Sequence, residues 1–224
     1  MNILMCMIVR NEQECLKIIL PLIPKPGIAA GFDNSIAVDG GSTDRTVDLL
    51  KAAGIEVLQQ TRRGRGAACI EAMEVFDADA YLFFSPDGNE DVADLSKFRT
   101  FLDGGADLVI ASRMMRGAVN EEDGHLFKPR KIANKSFNLA ANAAFRRHGP
   151  FITDSINGYR AIRRSLARRL KLDASDYTFE YQMTMRALRV GANIVEFPTH
   201  ERPRIAGDTG APSIPTGLRF ARRL

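Results

Sequence analysis

The amino-acid sequence predicts an α/β fold with a mainly parallel sheet flanked by helices. Short continuous apolar runs alternate with stretches of helical spacing through the first half of the chain, as strands buried on both faces do with their crossover helices. Glycine, proline and Asp/Asn/Ser clusters punctuate the boundaries. Polar and charged residues recur at the carboxyl ends of the predicted strands, the rim where open parallel sheets bind ligands.

Ile3 to Val9 is an apolar run suited to a buried strand, and Glu12 to Leu22 has helical spacing closed by Pro24-Lys25-Pro26-Gly27. Ser35 to Val38 is a second strand, ending on Asp39-Gly40-Gly41-Ser42; Thr43 to Ala53 follows as a helix stopped by Gly54. Ile55 to Gln59 is a third strand, and Gly64 and Gly66 mark a loop before a helix over Ala67 to Phe76. Tyr81 to Phe84 is a fourth strand, followed by the turn Ser85-Pro86-Asp87-Gly88. A helix near Val92 to Leu102 leads through Gly104-Gly105 to a fifth strand, Asp107 to Ser112. The second half is less regular. Met114 to Leu126 reads as a polar loop, and its composition makes it the candidate lid over a bound substrate. A long helix is expected within Phe127 to His148, a strand at Gly158 to Arg163, a helix over Tyr177 to Val190 and a last strand at Asn193 to Phe197.

The 224 residues are 45% hydrophobic and 26% charged, which argues against a disordered, collagen-like or disulfide-dense chain. One domain over residues 1–210 with a basic tail at 211–224 is expected. No apolar run approaches the roughly 20 residues of a transmembrane helix, and Met1 to Val9 lacks the basic start of a secretory signal. Cys6, Cys15 and Cys69 form no CxxC pair, so neither a zinc site nor a disulfide framework is expected, and a reducing, cytoplasmic compartment fits. The net charge is +4. Arg160, Arg163, Arg164, Arg168, Arg169 and Lys171 cluster without an acid among them, and Arg219, Arg222 and Arg223 repeat the theme. Such clusters suit phosphates or an anionic membrane surface, and equally a solvated helix face. A nucleic-acid partner is disfavoured: Trp is absent, aromatics are 8%, and basic and aromatic residues do not interleave.

Four segments are candidates for chemistry. Asp39 at a strand end, followed by Gly40-Gly41-Ser42-Thr43-Asp44, suits contact with a base or ribose, and equally an ordinary capped turn. Asp87, in a turn after a buried strand, is a natural ligand for a hard cation such as Mg²⁺ or Mn²⁺ bridging to phosphates, with Asn89, Glu90 and Asp91 beside it; a plain surface turn has the same pattern. Arg62-Arg63-Gly64-Arg65-Gly66 opens a helix whose N-terminus favours an anion, although no Walker lysine follows. Late arginines near glycine, Arg202 and Arg204 before Gly207, suit phosphate clamping or a solvated tail. His125, His148 and His200 show no ligand spacing.

Taken in order, these segments resemble the inverting family-two glycosyltransferases of GT-A fold, and within them the polyprenol-phosphate (dolichol-phosphate) mannosyl- and glucosyltransferases. The resemblance runs from Ile3 to about Gly210. It rests on Ile8-Val9-Arg10-Asn11-Glu12, Val38 to Asp44, Arg65-Gly66-Ala67-Ala68, Ser85-Pro86-Asp87-Gly88-Asn89, Ala111-Ser112-Arg113, Asp154 to Arg160, Glu180, and Arg204 with Gly207. Gly40 stands for the second acid of the nucleotide motif, Ser85 for the first acid of Asp-x-Asp, and Thr209-Gly210 for Ser-Lys.

The resemblance implies a Rossmann-like nucleotide-binding half and transfer of a hexosyl group, with inversion, from a GDP- or UDP-sugar to a polyprenyl phosphate. It assigns Asn11, Glu12, Asp39, Gly41, Ser42, Arg65 and Ser85 to the nucleotide, Asp87 to Mg²⁺ or Mn²⁺, and Asp154, Arg113 and Arg204 to catalysis. A sugar-hydroxyl acceptor would need a carboxylate base, with Asp154 the candidate. A polyprenyl phosphate is already ionised and needs positioning and neutralisation instead, and Asp154 would then orient an arginine. A lipid acceptor implies a cytoplasmic enzyme docked peripherally on the inner face of the membrane, through the tail Leu218 to Leu224. The alternatives are a nucleotidyltransferase, disfavoured because no glycine loop follows the first strand, and a non-catalytic nucleotide-sugar-binding module, which Gly40 and Ser85 keep open.

Overall fold

The computed structural model describes residues 1–123 and 129–206. In chain order they form β1 (Ile3–Val9), α1 (Gln13–Ile19), β2 (Asn34–Asp39), α2 (Thr46–Ala52), β3 (Glu56–Gln59), α3 (Arg65–Val75), β4 (Ala80–Phe84), α4 (Leu95–Asp103), β5 (Leu108–Ser112), α5 (Pro129–Phe145), β6 (Arg160–Arg163), α6 (Arg164–Leu170), α7 (Phe179–Arg189) and β7 (Ile194–Pro198). The expected helix over Val92 to Leu102 is split, a 3₁₀ turn at Val92–Asp94 preceding α4.

The strands form one seven-stranded sheet in the order β3-β2-β1-β4-β6-β5-β7. Neighbours run parallel except at β6, which is antiparallel to both β4 and β5. The apolar runs are continuous because both faces of the sheet are covered. Leu4, Cys6, Val38, Phe83 and Ile110 point to the face packed by α3, α6 and α7. Met5, Met7, Ala37, Leu82 and Val109 point to the face packed by α1, α2 and α4. This is the period-two alternation of a strand, made apolar on both sides by burial.

From β1 the chain steps outward to β2 and β3 on one side and then crosses back to β4 on the other, so the strand order reverses at β1 and its carboxyl end is where such sheets open a ligand crevice. Because β6 is antiparallel, its start at Arg160 lies on the same rim, paired with Phe83 and Ile110. The sheet thereby brings the segment Asp154 to Tyr159 beside the ends of β4 and β5.

Candidate active site

At the β1/β2 rim, two loops lock together. Asn11 takes a left-handed conformation (φ 54°). Its Oδ1 accepts from Thr43 N at 2.8 Å, and its own N donates to Ser42 Oγ at 2.9 Å. Glu12 N donates to Thr46 Oγ1 at 2.8 Å. Asp39 is buried, and its carboxylate accepts from Gly41 N at 3.2 Å, Ser42 N at 3.1 Å and Ser42 Oγ at 2.5 Å. Asn11, Glu12, Asp39, Gly41 and Ser42 thus form one cradle. Within it the Asp39 carboxylate is engaged by its own turn, the geometry of the capped-turn alternative.

The turn after β4 is closed by its own acid, Ser85 N donating to Glu90 Oε2 at 2.7 Å. Burial and the neighbouring Asp87 charge push the Glu90 carboxyl well above the usual glutamate range. Asp87 Oδ1 accepts from Asn89 N at 3.1 Å. Asp91 caps the following 3₁₀ turn through Ala93 N at 3.1 Å and faces Arg202 at 3.6 Å, which turns it away from Asp87. Residues 202–205 lie across this turn as a strap: Arg202 N donates to Asn89 O at 3.0 Å and Ile205 N to Asp87 O at 3.1 Å. From the strap, Arg204 reaches Asp87 Oδ2 at 2.9 Å and Glu12 Oε1 at 2.8 Å. Burial raises the Asp87 carboxyl above the usual aspartate range even with this arginine beside it.

Arg113, after β5, holds Asp154 in a fork: Nε to Oδ2 at 2.8 Å and Nη2 to Oδ1 at 3.1 Å, with the Arg113 backbone N adding a bond to Oδ2 at 3.0 Å. Its Nη1 lies 2.9 Å from Glu201 Oε1. Asp154 is fully buried and both of its oxygens are taken. As placed, it is buried and orients a guanidinium, with each oxygen already accepting from Arg113. Burial works against the Arg113 charge, but Asp154 and Glu201 outweigh it and hold the guanidinium more firmly protonated than usual. Glu196 in turn fixes the backbone here, accepting from Thr153 N at 2.7 Å and Asp154 N at 2.8 Å.

Arg65 pairs with Glu180 at 3.0 Å and lies 3.4 Å from Ser85 Oγ. Gly158 makes room for it, since a Cβ there would stand 2.5 Å from the Arg65 guanidinium. The start of α3, where an anion is expected, is packed against the chain. Ala67 N donates to Ser175 O at 3.0 Å, and a Cβ on Gly66 would stand 2.2 Å from Ala174 O. That glycine serves close packing against residues 174–176, and part of the helix end is already satisfied by the chain.

The basic cluster at 160–171 is also corrected. Arg160 is fully buried and donates to Asn157 O at 2.6 Å, Glu180 O at 2.9 Å and Thr184 Oγ1 at 3.0 Å. Burial lowers its guanidinium to about 10. Arg163 bonds Ala106 O and Leu102 O behind α4, and Arg169 bonds Val190 O behind α7. Arg163 and Arg169 satisfy carbonyls at the ends of α4 and α7 and Arg160 is spent in the interior, so these three do not present a phosphate-binding face, while Arg168 and Lys171 are exposed. Glu201 and Glu196, which sequence reasoning passed over, are isolated acids with no motif to mark them, Glu201 among polar residues and Glu196 inside the apolar run of β7. The expected lid is anchored over its described part, with Val119 N donating to Thr199 O at 3.1 Å and Asn120 Nδ2 to Glu201 Oε2 at 2.8 Å. Residues 124–126 of that loop, His125, Gly207, Thr209-Gly210 and the tail 211–224 lie outside the described residues. Cys6, Cys15 and Cys69 are free and buried.

For a divalent cation, the donors at hand are the Asp87 carboxylate and Asn89 Oδ1, which is buried without a hydrogen-bond partner. An unsatisfied buried carbonyl oxygen beside a carboxylate suits a hard cation. No group of three His, Cys, Asp or Glu side chains gathers as a metal site among the described residues, so diphosphate oxygens would have to complete the coordination.

A sequence profile described as Glycosyl transferase family 2 matches residues 6–171. The chain belongs to glycosyl transferase family 2. This family-2 enzyme is 32% identical to glycosyltransferase AglJ of Haloferax volcanii over 84% of its own length and 60% of that relative's. It thus spans about three fifths of that relative. It is 28% identical to a dolichyl-phosphate hexose transferase of the same organism, covering 89% of this chain and 82% of that one. It is 29% identical to polyprenol monophosphomannose synthase of Mycolicibacterium smegmatis, covering 84% and 72%. Among solved structures it resembles glucosyl-3-phosphoglycerate synthase of Mycobacterium tuberculosis, crystallised with Mn²⁺, UDP and phosphoglyceric acid, with a TM-score of 0.74, 20% identity and coverage of 99% and 76%. A second crystal of that synthase holds Mg²⁺ and UDP, with a TM-score of 0.68, 18% identity and coverage of 99% and 77%. These likenesses show the fold, the GT-A, Rossmann-like fold of the glycosyltransferases.

Proposed function

We propose that this glycosyltransferase moves a hexosyl group, with inversion, from a nucleotide diphosphate sugar to a polyprenyl phosphate. The Arg113–Asp154 fork carries the choice of acceptor. With both Asp154 oxygens held by Arg113, the site has no free base at this position for a sugar hydroxyl, whereas an acceptor phosphate needs a held cation and no base. The relatives named for dolichyl phosphate and polyprenol support the same acceptor class.

In this reading the cradle of Asn11, Glu12, Asp39, Gly41 and Ser42 receives the nucleoside, with Arg65 and Ser85 toward the diphosphate. Asp87 and Asn89 would hold Mg²⁺ or Mn²⁺, which when bound neutralises diphosphate charge. The acceptor phosphate oxygen attacks the anomeric carbon as the bond to the diphosphate oxygen breaks on the opposite face, and no proton need be removed. Arg113, held by Asp154 and Glu201, would offer the remaining hydrogens of Nη1 and Nη2 to the acceptor phosphate. Arg204, carried on the strap, turns from Asp87 to the departing diphosphate. Among the described residues no helix is long and apolar enough to cross a membrane. The proposed location is the inner membrane face, reached peripherally.

The test is release of nucleoside diphosphate from a panel of GDP- and UDP-sugars with Mg²⁺ or Mn²⁺, with and without a short polyprenyl phosphate. Lipid-dependent release that is lost in Asp87→Ala supports the reading. Release that requires a sugar acceptor and ignores the lipid phosphate overturns it.

A further inference from the structure

We propose that Glu201 opposes the acceptor phosphate at Arg113 before reaction, and that this opposition is relieved as the new bond forms. The proposal rests on the reading of Arg113 as the cation that meets the acceptor. Asp154 by itself balances the Arg113 charge, through a two-bond fork joined by the Arg113 backbone N. Glu201 is therefore a second acid on one guanidinium, its Oε1 2.9 Å from Nη1. The Asp154 side chain is wholly enclosed, whereas that of Glu201 is 11% exposed at the rim.

The neighbouring charges do not cancel this surplus acid. Arg160, which faces Asp154, is buried and holds carbonyls. Arg65 is paired with Glu180, and Arg202 faces Asp91. On the loop packed against Glu201, the Lys131 ammonium is taken by Asp123 and its backbone N by Glu122, while Arg116 is exposed. Glu90, which faces Arg113, and Glu196, which faces Arg160, are further acids on this side, each closed on backbone N–H groups.

A guanidinium offers five N–H hydrogens. Asp154 accepts from Nε and Nη2 and Glu201 from Nη1, which leaves one hydrogen on each Nη. A phosphate that takes these two shares Nη1 with Glu201, so two anions meet on one nitrogen. Glu201 is not free to step aside. Its Oε2 accepts from Asn120 Nδ2 at 2.8 Å and from Glu121 N at 3.3 Å, and its own N donates to Val119 O at 2.9 Å.

The repulsion changes along the reaction. A phosphate monoester enters with about two negative charges near neutrality. One of its oxygens gives a lone pair to the anomeric carbon, and the pair of the breaking C–O bond leaves with the diphosphate. One negative charge thus passes from acceptor to leaving group, and the acceptor becomes a singly charged phosphodiester. Glu201 therefore raises the bound ground state more than the transition state. It acts through Arg113 and touches none of the reacting atoms.

The experiment is steady-state transfer to a short polyprenyl phosphate at saturating donor, with inorganic phosphate as competitor. The parent is compared with Glu201→Gln, Glu201→Asp and Asn120→Ala, each checked for folding by circular dichroism. Glu201→Gln should lower the acceptor KM and the inhibition constant of inorganic phosphate by about tenfold each, and lower kcat as well. Glu201→Asp keeps the charge and should stay near the parent. Asn120→Ala loosens the same loop but leaves the ion pair, and it should not tighten either constant. A Glu201→Gln enzyme with unchanged or raised constants overturns the proposal, as does the same tightening in Glu201→Asp or Asn120→Ala. A parent that transfers without regard to the lipid phosphate overturns the acceptor reading and this proposal with it, whereas a lipid-dependent parent without the Glu201→Gln effect overturns this proposal alone.

Discussion

Arg204 Nη1 lies 2.9 Å from Asp87 Oδ2 while its Nη2 lies 2.8 Å from Glu12 Oε1, so one guanidinium, 117 and 192 positions along the chain from its two partners, ties the ends of β4 and β1 together. Two carboxylates at the rim thereby share one positive charge supplied by the chain itself. A divalent cation on Asp87 and this arginine would compete for the same oxygen.

That competition can be measured. Arg204→Gln should bind Mn²⁺ in the absence of nucleotide at least as tightly as the parent, read from the free-Mn²⁺ resonance signal, while hexosyl transfer falls by about a hundredfold. Weaker Mn²⁺ binding in the variant would remove Arg204 from the role of counter-ion to Asp87.

The fork on Asp154 predicts that lysine is no substitute for Arg113. Lysine cannot span both oxygens, and it leaves a fully buried carboxylate partly unpaired. Arg113→Lys should lose about 2–4 kcal/mol in denaturant unfolding and about a hundredfold in transfer. Asp154→Asn should cost less stability, because it removes the buried charge together with the pairing. If the two variants unfold alike, the fork is not what holds this region.

A methyl group at Gly66 should act against helix propensity. In an open helix Gly→Ala stabilises by about 1 kcal/mol. Here the added Cβ stands 2.2 Å from Ala174 O and 2.8 Å from both Asp176 O and Phe179 Cβ, backbone and core atoms that cannot swing away. Overpacking of this kind costs about 1–3 kcal/mol, so Gly66→Ala should lower Tm. A raised Tm would show that α3 and residues 174–176 can separate cheaply.

Glu71 supplies a pH dependence. It is buried, and it accepts from Thr61 N at 3.0 Å, Arg62 N at 2.7 Å and Thr61 Oγ1 at 2.9 Å, fixing the loop before Arg65. Burial alone would raise its carboxyl, but these donors and the Arg62 guanidinium hold it below the usual glutamate range. A lowered folded value means that stability is present above the unfolded value and is lost as pH falls through the folded one. Glu71→Gln should therefore cost about 2 kcal/mol near neutrality, with the difference from the parent closing as pH drops below the carboxylate range. A difference independent of pH would assign the cost to packing.

The strand and helix order through β5 was legible in the residues, because each element declares itself within its own few positions. An apolar run such as Ile3–Val9 reads as a doubly covered strand, and Gly54 or Gly104-Gly105 ends a helix wherever it sits. The rim residues Asn11, Asp39, Asp87 and Arg113 were legible for the same reason: they follow directly on those runs. The family resemblance was confirmed by the profile match over residues 6–171.

What only the tertiary structure decided was pairing. No local pattern says that β6 turns antiparallel between β4 and β5, since that choice rests on contacts far apart in sequence. The fates of the charged residues are of the same kind. Arg65 finds Glu180, Arg113 finds Asp154 and Glu201, and Arg204 finds Glu12 and Asp87 only once the sheet has formed. The cluster at 160–171 read equally as an anion-binding or a solvated face, because composition records charge but not the carbonyls that engage Arg160, Arg163 and Arg169. Sequence determines which charges exist and which strands carry them to the rim. Folding determines which are spent on one another, because a buried charge must be paired wherever its partner lies along the chain.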